Sequence, residues 1–333
     1  MNNQLKYAVF GAGSWATAIV KMLCENLPEV GWYMRSVYTK EHLLREQHNP
    51  NYLSSVEFHL DQLKLSNDIN EMATYADVLI FVIPSAFMHS ELEKLTIDIS
   101  NKTIVSAVKG IMPETGLLVG EHFNEFYHVP FENIAVIAGP CHAEEVALER
   151  LSYLTISCAD SEKAKEIAKQ LSCDYIKTKI SDDIMGTEYA VMLKNIYAIA
   201  AGIAHGLGYG DNFQSVLMSN AIREMKRFIK KMHKMKRNIN NSAYLGDLLV
   251  TGYSVFSRNR MFGNMIGKGY TVKSAQMEMS MIAEGYYATK NAHLLNEKNK
   301  KKTRLPIIDA VYEILYEGKD PKKTFKKLTE KLD

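Results

Sequence analysis

The sequence predicts an α/β protein: a doubly wound parallel sheet in its N-terminal half, followed by an all-helical domain. Three observations carry that prediction. Through about residue 180, short β-rich runs alternate with helical stretches, the order that builds strand–helix–strand layers. Several of the runs are apolar almost throughout, as parallel strands covered on both faces must be. Beyond that point the apolar spacing turns helical and stays so. The expected domains are 1–185 and 186–333.

The strand-like runs are, in order, "YAVF" (7–10), "VGWYM" (30–34), "DVLIFVIP" (77–84), "TIVSAVKG" (103–110), "NIAVIAGP" (133–140) and "LTISC" (154–158). After them "DDIMGTEYAVMLKNIYAIAAGIAHGLG" (182–208) carries apolar residues at helical spacing, with no strong turn signal until its glycines. A chain of 333 residues is long enough for two cores. A hydrophobic share of 47%, a charged share of 23% and a net charge of +2 are ordinary for a globular protein, and nothing global calls for nucleic acid or an acidic membrane as partner. The lysines of "KRFIKKMHKMKR" (226–237) and "NEKNKKKTR" (296–304) read as a solvated helix face and a loop. Cys24, Cys141, Cys158 and Cys173 lack paired spacing, no leader precedes the first strand, and no apolar run approaches the roughly 20 residues of a membrane span. A cytoplasmic protein with free thiols is expected.

The first run ends in Gly-Ala-Gly, and an apolar-periodic segment starts at once. Gly11, Gly13 and Ala16 fit the fingerprint G-x-G-x-x-G/A at a strand-to-helix junction. The first glycine permits the tight turn, the second lets a pyrophosphate approach the backbone, and a small third residue lets helix and strand pack closely. The helix N-terminus then offers N–H groups and a positive dipole to phosphates. A Rossmann dinucleotide-binding domain is expected, with NAD or NADP as cofactor. An acid about 20 residues on would bind the ribose 2′-hydroxyl of NAD. Here "VGWYMRS" ends in Arg35 with no carboxylate beside it. That guanidinium can sit on the adenine, pair with a 2′-phosphate, or simply face solvent.

In the helical half, Lys194 lies within "AVMLKNIYAIAAGIA". A cation amid so apolar a helix either snorkels to the surface, finds a partner, or loses its proton. A desolvated lysine with its pKa lowered toward ~7–8 can act as general acid or base, with Asn195 as a neutral hydrogen-bonding neighbour. "YLGDLLVTGYSVFSRNRMFG" (244–263) packs Asp247, Thr251, Ser257, Arg258, Asn259 and Arg260 into a short span. Arg258 offers a planar fork suited to phosphate, Asn259 and Thr251 add neutral donors, and Asp247 can stabilise a lysine ammonium. The same Ser-Arg-Asn-Arg run can equally be an ordinary helix start. Lys109 ends a strand-like run at the edge where open α/β sheets bind ligands, and Gly139 with Pro140 repeats that arrangement.

Taken together, "GAGSWATA", "VIPS", "AVKGI", "GPCHAEEV", "LKNIYAIAAG", "LGDLLVTGYSVFSRNRMFG" and "AEG" (283–285) resemble, in order and spacing, the bacterial-type NAD(P)-dependent glycerol-3-phosphate dehydrogenases over nearly the whole chain. The resemblance implies reversible hydride transfer between NAD(P)H and dihydroxyacetone phosphate, giving sn-glycerol 3-phosphate for glycerophospholipid synthesis. It implies Lys194 as proton donor and acceptor, with Lys109, Asn195, Asp247, Thr251, Ser257, Arg258 and Asn259 at the substrate. It places Ser14, Trp15, Arg35, Lys109, Gly139, Cys141, Ala143, Arg258, Ile282 and Glu284 along the cofactor, beside Gly11 and Gly13. A homodimer is also carried over. The chain departs from the family at Ala16, where glycine is usual, at Gly252, where cysteine is usual, and at Cys141-His142, where Ser-Phe is common. The "NINNSAYLGD" segment (238–247) lacks the usual glycine-rich approach.

Other chemistries fit less well. Another two-domain dehydrogenase, acting on a 3-hydroxy acid or sugar acid, would share the first half but has no need of Ser-Arg-Asn-Arg with Asp247. A non-catalytic NAD(P) sensor has no use for Lys194 and Asp247 together. "HAE" (142–144) lacks the following P-C-x-x-C of the zinc deaminases, and no G-x-x-x-x-G-K-[ST] is present. No metal site is expected.

Overall fold

A computed structural model describes residues 4–279, 283–298 and 301–333. Contacts divide the chain into two compact units. One comprises the described residues up to Val108 with Leu117–Ile184, and the other Lys109–Gly116 with the residues from Met185 onward. The short excursion of Lys109–Gly116 into the second unit has no counterpart in a contiguous division at 185.

The first unit is built on an eight-stranded sheet: β1 (Tyr7–Phe10), β2 (Val30–Tyr33), β3 (Leu63–Ser66), β4 (Val78–Phe81), β5 (Thr103–Ser106), β6 (Ile134–Ala138), β7 (Ser152–Cys158) and β8 (Ile176–Ser181). Their spatial order is β3-β2-β1-β4-β5-β6-β7-β8, and all neighbours except β6 and β7 run parallel. The first six reproduce the 3-2-1-4-5-6 order of the Rossmann fold, with its reversal between β1 and β4. Every residue of β1, β2, β4 and β6 is buried, which is why those runs are apolar throughout.

The sheet differs from the sequence expectation in two ways. β3 and β8 are edge strands reading LKLS and IKTKIS, partly exposed and interrupted by lysine, so their hydrophobic signal is diluted. β7 pairs antiparallel with β6, Ala135 opposite Cys158 and Ala138 opposite Thr155. The connection between them, residues 139–151, carries only the five-residue helix Ala143–Ala147 and returns the chain to β7 in the reverse direction.

The second unit contains no strand among the described residues. Its central element is the helix Ile184–Gly206, buried continuously from residue 186 to 204 and therefore mostly apolar all round, with Thr187, Glu188, Lys194 and Asn195 as buried polar exceptions. It crosses the helix Arg258–Gly267 at unusually short range. A Cβ on Gly202 would collide with the Arg260 carbonyl, and one on Gly263 with the Ile199 carbonyl. Glycines four apart on both helices (Gly202 and Gly206, Gly263 and Gly267) leave backbone against backbone there. Further helices span Asp211–Met232, Asp247–Tyr253, Val272–Glu278, Glu284–Glu297, Pro306–Tyr316 and Pro321–Thr329. No helix among the described residues is long and apolar enough to cross a membrane.

Candidate active site

In the first unit the glycine turn is held from β2. Gly11 N–H donates to the Tyr33 carbonyl at 3.0 Å, and the buried Trp32 indole donates to the Gly11 carbonyl at 2.7 Å. Gly11 adopts φ +128°, and a Cβ there would stand 2.9 Å from the Val82 carbonyl oxygen on the neighbouring strand end. Gly13 faces open space, with no atom within 4 Å of where its Cβ would be. It precedes the helix Ser14–Cys24, which starts without a side-chain cap. Ala16 is fully buried against the sheet, as the third fingerprint position requires.

Around this turn a cavity of about 360 Å³ opens at the carboxyl ends of β1, β2 and β4, lined among others by Gly11, Gly13, Tyr33, Arg35, Phe87 and Glu91. Its volume lies in the range of small-molecule sites, and its position is the reversal point of the strand order. The bare glycine backbone, the uncapped helix N-terminus and this cavity fit a nicotinamide dinucleotide. Asn49, 1% exposed, secures the loop beside the turn. Its amide donates to the Ala12 carbonyl (3.0 Å) and Thr17 hydroxyl (2.9 Å), and its Oδ1 accepts from the Asn51 and Tyr52 N–H groups.

Of the residues expected along the cofactor, Gly11, Gly13 and Arg35 line the cavity. Ser14 and Trp15 follow in the first helical turn. Gly139 follows β6 at φ +126°, and a Cβ there would stand 2.5 Å from the Tyr153 carbonyl oxygen, so backbone shape and packing both demand glycine. Cys141 packs partly buried against the apolar core of this unit, and Ala143 starts the short helix after it. Lys109, Arg258 and Glu284 belong to the second unit, and Ile282 lies outside the described residues.

In the second unit Lys194 is 7% exposed, which excludes snorkelling. The structure supplies its partner instead: Nζ stands 2.5 Å from Asp247 Oδ1, itself 2% exposed. Asp247 opens a helix that follows directly on a wide π-helical turn, Ser242–Gly246, so the second half of the segment without the glycine-rich approach is helical, while 238–241 form a turn. Thr251, one turn on, donates its hydroxyl to the Asp247 carbonyl at 2.7 Å. At Gly252 the space a side chain would occupy is taken by the Met218 sulfur, 2.7 Å from the missing Cβ.

Lys109, Lys194, Arg258, Asp247 and Glu284 form one charge cluster. Burial first, then the Lys194 and Arg258 charges, push the Lys109 ammonium down to about 8, against the pull of Glu284 and Asp247. Glu284 is pushed up by burial, opposed by the three cations, and its Oε2 is buried without a hydrogen-bond donor among the described residues. Three cations against two carboxylates, one of them biased toward its neutral form, leave the cluster positive.

Asn195 and Asn259 play a different part from their neighbours. Asn195 donates to the Val191 carbonyl (3.1 Å) and accepts from Asn259 (2.9 Å), whose own oxygen accepts from the Gly285 N–H (2.8 Å). This relay ties three helices together and fixes the side chains on either side of it. Ser257 caps the Arg258–Gly267 helix by accepting from the Arg260 N–H at 3.3 Å, which places Arg258 at a helix N-terminus.

Trp32, Asn49 and Glu91 are functional residues that the sequence does not mark. Each acts through a partner distant in the chain, such as Ala12 for Asn49, and carries no local pattern of its own.

Comparison with known proteins agrees with both units. Family models described as NAD-dependent glycerol-3-phosphate dehydrogenase N-terminus and C-terminus match residues 6–173 and 183–326. A glycerol-3-phosphate dehydrogenase [NAD(P)+] of an Exiguobacterium strain is 35% identical over 323 residues, 96% of this chain and 94% of that protein. One from Macrococcus caseolyticus is 32% identical over 97% of each chain. The crystal structure of glycerol-3-phosphate dehydrogenase from Coxiella burnetii superposes with a TM-score of 0.89 at 29% identity, covering 98% of this chain and 99% of that one. On sequence and on fold, the chain belongs to the NAD(P)-dependent glycerol-3-phosphate dehydrogenase family.

Proposed function

We propose that this chain interconverts dihydroxyacetone phosphate and sn-glycerol 3-phosphate, with Lys194 as the group that gives the substrate oxygen its proton on reduction and takes it back on oxidation. The observation that carries the assignment is the buried Lys194–Asp247 pair at 2.5 Å inside a cluster with excess positive charge. The bound nicotinamide supplies or takes the hydride. The chain's own residues do the rest. Arg258, at a helix N-terminus, holds the substrate phosphate through its guanidinium and the helix N–H groups. Asp247 fixes the Lys194 ammonium in direction, and Lys109 adds a second positive charge where negative charge develops on the oxygen. Asn195 and Asn259 keep Lys194 and Arg258 in register through their relay. Such positioning removes much of the entropic part of the barrier.

The resemblance further supports a cytoplasmic homodimer whose product feeds glycerophospholipid synthesis. The test is direct. Purified protein with dihydroxyacetone phosphate should consume NADH or NADPH, read as loss of absorbance with each cofactor separately. No loss above background with either would overturn the assignment.

A further inference from the structure

We propose that Glu91 is a specificity-determining residue of the dinucleotide site, and that it turns the site toward the cofactor bearing a free 2′-hydroxyl and away from the one bearing a 2′-phosphate. This rests on the dinucleotide reading of the glycine-turn cavity. The end of β2 carries no acid, and Arg35 alone suggests a phosphate partner. The structure brings a carboxylate to the same place from elsewhere. Glu91, on the helix Ser85–Leu92 that follows β4, lines the cavity beside Arg35 and is 3% exposed. Its Oε2 accepts from the Tyr33 hydroxyl at 2.6 Å. Its Oε1 stands 2.7 Å from Lys94 Nζ and 3.5 Å from Arg35 Nη1.

The two charges that face the cavity are unequal. The Arg35 side chain is 65% exposed and its charge is screened by solvent, whereas the Glu91 side chain is 4% exposed and its charge is screened less. Lys94 offsets the carboxylate but does not line the cavity, and its side chain is 50% exposed. Burial pushes the Glu91 carboxyl up, but the hydrogen bonds from Lys94 and Tyr33 and the Lys94 and Arg35 charges outweigh it, so the group lies below the usual carboxylate range and is ionised at neutral pH. A 2′-phosphate entering beside Arg35 would share that guanidinium with Glu91 and stand close to a fixed negative charge that Lys94 offsets only in part. A ribose hydroxyl meets no such repulsion. Ser36, the next polar side chain after Arg35, already accepts from the Thr39 N–H as a helix cap.

The experiment compares binding, by calorimetry and without substrate, of adenosine 2′,5′-bisphosphate with 5′-AMP and of NADPH with NADH, in wild type and Glu91→Gln. Glutamine keeps an acceptor for Tyr33 and removes the charge. The expected result is a rise of roughly tenfold in the affinity ratio of phosphorylated to unphosphorylated ligand, with affinity for NADH and 5′-AMP nearly unchanged. An unchanged ratio overturns the proposal. A falling ratio also overturns it, and shows that Glu91 instead holds Arg35 for a phosphate. If the variant does not fold, wild type decides: the bisphosphate-to-AMP ratio should stay flat or rise with added salt, and a steep fall refutes the proposal. Because binding is read without turnover, failure to reduce dihydroxyacetone phosphate would leave this test intact. Turnover with an unmoved ratio would sink this inference alone.

Discussion

The glycine turn of the first unit and the lysine helix of the second solve opposite problems. At the turn, function comes from removing side chains: Gly11 and Gly13 expose backbone, and Trp32, Tyr33 and Asn49 brace it from behind. At the lysine helix, function comes from placing a charged side chain where an apolar one would be easier to bury, and then supplying Asp247 from 53 residues away. The first arrangement depends on local backbone shape and the second on partners that meet only on folding. Damage to the first should therefore appear in binding, and damage to the second in turnover.

The largest effect should separate the two regions most clearly. Lys194→Ala is expected to lower kcat by ~10²–10⁴ while leaving dinucleotide affinity near wild type. It also strands a buried carboxylate, at a cost of roughly 3–5 kcal/mol, so the companion Lys194→Ala/Asp247→Asn should regain stability without regaining turnover. Steady-state kinetics beside thermal melts read both, and near-normal kcat in either variant contradicts the proton role.

Gly11→Ala tests the other region. The added Cβ meets a backbone carbonyl at a φ that L residues rarely adopt, so a loss of ~1–3 kcal/mol in stability is expected. Dinucleotide binding should weaken about tenfold or more, since the turn must shift away from the phosphates. Tight binding in this variant would mean that the turn serves packing only.

A last prediction sharpens the contrast by looking away from the site. Glu224, fully buried, caps the Pro306–Tyr316 helix by accepting from the Ile307 and Ile308 N–H groups at 3.0 Å each. Burial raises its carboxyl to about 8. A raised acid favours the protonated folded state, so its stabilising contribution is full below its ordinary value near 4.5 and is lost as pH climbs through about 8. The unfolding free energy of wild type, from urea titrations, should fall relative to Glu224→Gln across that window, by roughly a few kcal/mol at most. Parallel profiles would show that the carboxyl does not titrate there.

Much of this was legible in advance for physical reasons. The buried strands β1, β2, β4 and β6 announce themselves because both faces of a parallel sheet must be apolar, and the glycine spacing follows from the backbone it has to make. The edge strands β3 and β8 were not legible, since lysines that protect an edge erase its hydrophobic pattern. The reversal at β7 was hidden because strand direction is decided by how the chain pairs in the sheet, not by the strand's own residues.

The site divides in the same way. Lys194 stood out as a cation in an apolar helix, and Arg258 as a fork at a helix start, because burial and capping leave marks on the local sequence. Sequence by itself determined the residue types that the chemistry requires and the segments that carry them. Tertiary structure alone decided that Lys194 meets Asp247, that Asn195 and Asn259 bond to each other, and that Arg35 faces a buried Glu91. The reason is that a charge is made tolerable or useful by what stands a few ångströms away, and those neighbours are brought in from distant parts of the chain.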